Sequence, residues 1–123
     1  MIYRTKQIKG VGRGRKIGFP TVNLIIPEDF HFDNGVYATW VVVDDQTFKG
    51  ALHYGPIPTF DLKDKSLEVH LIDVTDGNVP VTYGKDIEID IVDKIRDVKT
   101  FDNALELATQ ISDDVQKVKL LLK

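Results

Sequence analysis

Apolar and polar positions alternate along much of the chain and change period only near its end. Residues 36–43 read VYATWVVV, β-branched and aromatic, with Gly35 punctuating the start, and predict a strand. Residues 47–52 can pair back onto it across Asp44-Asp45. Residues 67–74 (LEVHLIDV) set Leu67, Val69 and Leu71 against Glu68 and His70. Residues 87–92 (IEIDIV) alternate apolar with acidic, the pattern of a half-buried strand. From Asn103 onward apolar residues recur at Ala104, Leu107, Ala108, Ile111, Val115, Val118 and Leu122, which is helical spacing with one buried stripe. Asp102 is the expected N-cap, and Glu106 early with Lys117, Lys119 and Lys123 late suits the helix dipole. The pattern thus predicts five to six short strands followed by one helix. That order argues for an antiparallel barrel or sandwich with the helix packed on it, and a small closed barrel would also remove exposed strand edges.

Composition narrows the picture. At 123 residues the chain is expected to form a single domain over 1–123 with one modest core. It has no cysteine, which excludes disulfides and thiolate metal sites. No apolar run approaches the roughly 20 residues of a membrane span, and the first residues, MIYRTKQIKG, lack the apolar centre of a secretory signal. A cytoplasmic monomer without membrane contact is the expectation. Net charge is −3 but unevenly placed. Residues 1–20 carry Arg4, Lys6, Lys9, Arg13, Arg15 and Lys16 and no acid, whereas the remainder balances to −9. A basic, glycine-rich end on an acidic body suggests a local anion site and argues against a surface built throughout for nucleic acid.

The basic end contains GVGRGRKIGFPTVNL, residues 10–24. The Walker spacing fails, because five residues on from Gly10 stands Arg15; the dinucleotide fingerprint from Gly12 ends on Ile17 instead of glycine. Three readings stay open on the residues alone: a flexible hairpin loop, a basic arm contacting RNA, or a phosphate cradle in which glycines let backbone N–H groups approach an anion. Pro20 cannot donate to a sheet, so it belongs at a strand's first position. Beyond it, Thr21 and Asn23 should point one way and Val22 the other. If Val22 faces the core, a hydroxyl and an amide oxygen face outward together. These are hard ligands suited to magnesium, but both are neutral, so ATP phosphates would have to bring the negative charge.

This segment closely resembles the signature of riboflavin kinases, whose usual core is G-F-P-T-A-N or a near variant. Further landmarks follow in order: Gly35-Val36-Tyr37-Ala38, Gly55 to Phe60 as G-x-x-P-T-F, Leu67 to Asp73 as L-E-V-H-L-x-D, Tyr83-Gly84-Lys85, Ile95-Arg96 with Phe101, and Gln110-Ile111 with Asp113 in the expected helix. The resemblance covers nearly the whole chain. It implies a mostly β fold, a six-stranded antiparallel Greek-key barrel with a C-terminal helix. It implies transfer of the ATP γ-phosphoryl group to the riboflavin 5′-hydroxyl, giving FMN and ADP. By the same resemblance Thr21 and Asn23 hold Mg²⁺, and Gly12, Gly14, Lys16, Gly18 and Pro20 lie in the nucleotide-phosphate loop. Glu68 matches the catalytic base, Arg96 and Phe101 the flavin site, and Tyr83 and Gly84 the adenine side. The partners implied are ATP and riboflavin, not nucleic acid.

Glu68 has a physical rationale in that role. Phosphoryl transfer is mostly positioning and charge neutralisation, yet a ribityl hydroxyl must lose its proton near neutral pH. A carboxylate within hydrogen-bond reach contributes about 10²- to 10⁴-fold. The plain alternative is a solvated glutamate on a polar strand face. His70, two residues on, reads as a hydrogen-bonding neighbour or as a metal partner of Glu68. His31 and His53 have no partner readable from sequence, and Glu88 and Asp90 read as an exposed strand face.

The chain also departs from the pattern. Val22 replaces the usual alanine, and overpacking of that kind typically costs about 1–3 kcal/mol unless neighbours shrink. Ala51-Leu52-His53-Tyr54 stands where small residues and an asparagine are more usual, and Val98 where a glutamate is common. The nucleotidyltransferase half of bifunctional FAD synthetases, with its H-x-G-H-type motif, is not in this sequence, so no FAD synthesis is expected of it. These departures leave open a catalytically weakened flavin- or nucleotide-binding barrel, and as a third class a nucleic-acid-binding barrel.

Overall fold

A computed structural model describes residues 2–8, 19, 21–57, 62–74 and 82–123, with 57 and 62–64 described in backbone only. Among the described residues seven strands and one helix follow in order: β1 (Ile2–Thr5), β2 (Gln7–Ile8), β3 (Thr21–Leu24), β4 (Gly35–Val43), β5 (Gln46–Ile57), β6 (Leu62–Leu71), β7 (Ile87–Arg96) and α1 (Ala104–Leu121). All strand pairs are antiparallel, in the spatial order β1-β7-β4-β5-β6-β3-β2. No described helix is long and apolar enough to cross a membrane.

The two ends of that order, β1 and β2, are halves of one N-terminal segment separated only by Lys6. At the break, the Lys6 carbonyl accepts from the Ile25 backbone N–H at 2.9 Å. The sheet therefore curls into a half-barrel whose two ends share one continuous piece of chain. Counted this way, the seven segments are the six strands expected, one of them bent. The mostly β barrel with a C-terminal helix is borne out.

The interior is filled by residues of every strand except β2, among them Tyr3, Val22, Leu24, Leu52, Leu67, Val69, Ile87 and Ile89. Gly50 makes room for this packing: a Cβ there would lie 2.6 Å from the Val69 side chain. Strand β4 does not alternate because it is buried on both faces. Tyr37, Val41 and Val43 point inward, while Val36 and Ala38 meet Ala51, Ile72, Val118 and Leu122 beneath the helix. The β4–β5 hairpin turns at Asp44 and Asp45 with φ of 51° and 62°, the left-handed pair of a two-residue turn matched to strand twist.

Several boundaries differ from those expected: β6 begins at Leu62 rather than Leu67 and β7 runs to Arg96 rather than Val92. Strand β5 runs to Ile57 rather than Leu52, and β6 ends at Leu71 rather than Val74 because Asp73 adopts φ 62°. The helix N-cap is Asn103, not Asp102. The Asn103 side chain accepts from the Glu106 N–H at 2.9 Å, and the Glu106 carboxylate reaches back to the Asp102 N–H at 3.1 Å. The buried stripe of α1 also sits later than expected. Asp114, Val118 and Leu122 are buried, one helical turn apart, whereas Ala104 is exposed and Leu107, Ala108 and Ile111 are half-buried.

Candidate active site

The site is built on the outer face of the barrel by register. In β3, Val22 and Leu24 are buried and Thr21 and Asn23 are half-buried, as the alternation predicted. Val22 therefore fits the core without turning the polar pair inward. Strand β3 pairs with β6 so that Asn23 lies directly opposite Glu68 and Thr21 directly opposite His70. Side chains so paired share a face, with Cβ atoms about 4.5–5.5 Å apart. A hydroxyl, an amide, a carboxylate and an imidazole thus occupy one small rectangle, all half-buried.

The same row continues around the barrel. Glu68 is opposite His53 on β5, His53 is opposite Val36 on β4, and Val36 is opposite Arg96 on β7. Strands sit about 4.8 Å apart, so Arg96 lies three strands, roughly 14 Å, from Glu68 along the sheet. His53, whose partner is not readable from sequence, stands beside the acid expected to act as base. Its neighbour in the next row, His70, packs edge-on against Phe19, with ring centres 5.3 Å apart at 87°.

Arg96 is placed differently from a simple ligand contact. Its side chain is only 9% exposed and that of its partner Asp114 only 3%. The guanidinium donates to the Asp114 carboxylate through Nε at 2.8 and 3.1 Å and through Nη2 at 2.9 Å. Nη1 donates to the Asp97 carbonyl at 3.0 Å, Gln110 adds a hydrogen bond to Asp114 at 3.1 Å, and the guanidinium lies 5.9 Å from the Phe101 ring centre. A second tie holds the same segment. Lys94 meets Asp97 at 2.6 Å, and that hydrogen bond keeps the Asp97 carboxyl below its usual range and the Lys94 ammonium above its own. Arg96 and Phe101, expected together at a flavin site, are indeed adjacent, but Asp114 was missed. The sequence reading named Asp113, which is exposed. The signal was available, since Asp114 occupies the stripe position one turn before Val118.

Tyr83 and Gly84 lie in the turn before β7, closed by a Lys85 N–H to Thr82 carbonyl bond at 3.1 Å and tied to the β4–β5 hairpin by a Lys85–Asp44 ion pair. Gly84 has φ +77° and Tyr83 is 58% exposed. They stand at the opposite end of β7 from Arg96, ten strand residues or about 33 Å along the chain. The structure does not gather these two groups; Glu68 lies in the Arg96 row. Gly12, Gly14, Lys16, Gly18 and Pro20 fall outside the described residues.

Among the described residues no cluster of three or more acids or histidines could hold a metal alone. Thr21 and Asn23 nevertheless offer two neutral oxygens on one face next to a carboxylate. That donor set fits magnesium arriving with phosphates rather than a dedicated protein cage.

The family described as riboflavin kinase (Flavokinase) matches residues 1–122. A bifunctional riboflavin kinase/FMN adenylyltransferase of Buchnera aphidicola subsp. Acyrthosiphon pisum is 38% identical over 111 residues, covering 88% of this chain and 34% of that protein. An RNA-binding riboflavin kinase of Bacillus subtilis is 36% identical over 113 residues, covering 90% of this chain and 46% of its own length. The chain thus spans less than half of these relatives. Two solved structures share the fold. One, from Streptococcus pneumoniae and described as a macrolide-efflux protein, has a TM-score of 0.81 at 28% identity, covering 96% of this chain and 38% of that one. The other, a riboflavin kinase of Trypanosoma brucei, has a TM-score of 0.70 at 21% identity, covering 98% and 78%.

Proposed function

The chain belongs to the riboflavin kinase family, and from that premise we propose that it transfers the γ-phosphoryl group of ATP to the 5′-hydroxyl of riboflavin, giving FMN and ADP. The observation that carries the reading is the pairing of Asn23 with Glu68 across β3 and β6. It sets a proton acceptor beside an oxygen donor suited to a phosphate-bound cation, on a face that Val22 and Val69 anchor to the core.

In this reading Thr21 and Asn23 hold Mg²⁺ through hydroxyl and amide oxygens. When bound, the ion would supply positive charge to offset that of the phosphates. Gly12, Gly14, Lys16, Gly18 and Pro20 cradle the phosphates, with Tyr83 and Gly84 toward the adenine. Glu68 orients the 5′-hydroxyl and accepts its proton as the oxygen attacks phosphorus. Arg96, fixed by Asp114, holds the segment that carries Phe101 beside the flavin. One copy of the chain with ATP and riboflavin suffices, and the cytoplasm is where we place it.

Incubation with ATP, magnesium chloride and riboflavin, followed by chromatography of the flavins, tests the proposal. FMN accumulating in step with ADP is expected. Riboflavin retained by the protein without conversion would favour the weakened binder instead.

A further inference from the structure

His70 shares the outer face of β6 with Glu68, two residues along the strand. Its register gives it two unlike neighbours. On one side Ala51 of β5 stands opposite it, and Ala51 in turn is opposite Ala38 of β4. Both alanines belong to the apolar cluster that Val118 and Leu122 of the helical segment cover. On the other side stands Thr21, the first residue of β3. His70 thus marks the boundary between the helix-covered part of the outer face and the polar part that carries Thr21, Asn23 and Glu68.

The ring of His70 meets that of Phe19 edge to face, with centres 5.3 Å apart at 87°. This is a favoured arrangement for two aromatic rings, and both residues are half-buried. In the sequence Phe19 directly follows Gly18, the last glycine of the nucleotide-loop stretch, and precedes Thr21 by two residues. Pro20 stands between them, and a proline holds the residue before it to extended backbone. From the Phe19 ring to Thr21 the chain is therefore short and stiff. Holding the ring fixes both where the loop sequence ends and how β3 begins. Metal ligation or proton transfer by His70 would engage its ring nitrogens, whereas packing against Phe19 uses the shape of the ring.

We propose that His70 is a positioning residue whose ring holds Phe19 and so fixes the junction between the nucleotide-loop sequence and the strand bearing Thr21 and Asn23. The inference rests on the kinase reading and deepens it by assigning a latch to the nucleotide side of the site.

Two substitutions separate the ring from its polar atoms. His70→Phe keeps an aromatic ring without nitrogens, and His70→Gln keeps hydrogen-bonding atoms without a ring. Each is titrated with MgADP by calorimetry and with riboflavin by flavin fluorescence. His70→Gln should weaken MgADP binding about 3- to 10-fold, the worth of one aromatic pair, and raise the KM for ATP in step. His70→Phe should stay within about twofold of wild type, and riboflavin affinity should be the same in all. Phe19→Leu should match His70→Gln, and the double variant should lose no more than either alone, because both remove one contact. If His70→Phe loses as much as His70→Gln, the nitrogens act and not the ring, which overturns the proposal. Additive losses in the double variant overturn it too. A lowered melting temperature with MgADP and riboflavin affinity falling together would reduce the pair to general packing and likewise overturn it. Wild-type protein that binds both ligands but forms no FMN would defeat the kinase reading, while the MgADP titrations still decide the latch.

Discussion

Glu68→Gln is expected to lower turnover by about 10²-fold or more while leaving ATP binding nearly intact. The substitution keeps the shape of the side chain and its place opposite Asn23 and His53, but removes the charge that accepts a proton. A loss of 10² corresponds to about 2.7 kcal/mol of transition-state stabilisation. In the proposed reading that charge serves the acceptor and not the nucleotide, so the KM for ATP should move little. The measurement is steady-state FMN formation with each substrate varied in turn. If the variant turns over at the wild-type rate, Glu68 is a solvated strand residue and the base lies elsewhere. If kcat is unchanged and the KM for ATP rises, the carboxylate serves the metal rather than the acceptor.

Asp114→Ala should destabilise the protein by about 3–5 kcal/mol, because it strands the buried Arg96 guanidinium without its counter-charge. That is a large share of the roughly 5–15 kcal/mol by which a domain is stable. It corresponds to a fall of roughly 10–20 °C in melting temperature. Arg96 is nearly enclosed and donates three of its contacts to this one carboxylate, which joins strand β7 to helix α1. A paired replacement, Arg96→Met with Asp114→Leu, should recover most of the loss, since apolar side chains of similar volume need no desolvated charges. The paired variant also separates two roles of Arg96. If it melts near wild type but binds riboflavin more weakly than it binds ATP, the arginine serves the flavin as well as the helix. Should Asp114→Ala melt within about 2 °C of wild type, the ion pair is not the staple described.

Much of this was legible in the sequence, for reasons particular to each element. Strands β3, β6 and β7 alternate because one face is core, so the outward pairing of Thr21 with Asn23, and of Glu68 with His70, could be read directly. The hairpin at Asp44-Asp45 was legible because two adjacent aspartates tolerate left-handed φ better than the β-branched residues around them. The N-terminal strands were not. At the two ends of β1 burial runs opposite to polarity, with Ile2 65% exposed while Thr5 is buried. The helix start was missed by one residue because Asp102 and Asn103 are both good caps and only geometry chooses. The Asn23–Glu68 register could not be derived at all, because it joins segments 45 residues apart whose alignment depends on the whole barrel. Asp114 escaped for another reason. An acid on the buried stripe looks like an interruption until the arginine it neutralises is placed opposite it.

The central claim is that Thr21, Asn23 and Glu68 act around one phosphoryl group. A crystal structure with ADP, Mg²⁺ and FMN bound tests it most directly. The account predicts the metal on the Thr21 hydroxyl and Asn23 amide oxygens, the ADP β-phosphate beside it, and the FMN 5′-oxygen within about 3 Å of the Glu68 carboxylate. FMN seated with its phosphate away from Glu68, or a metal held without Thr21 and Asn23, would contradict it.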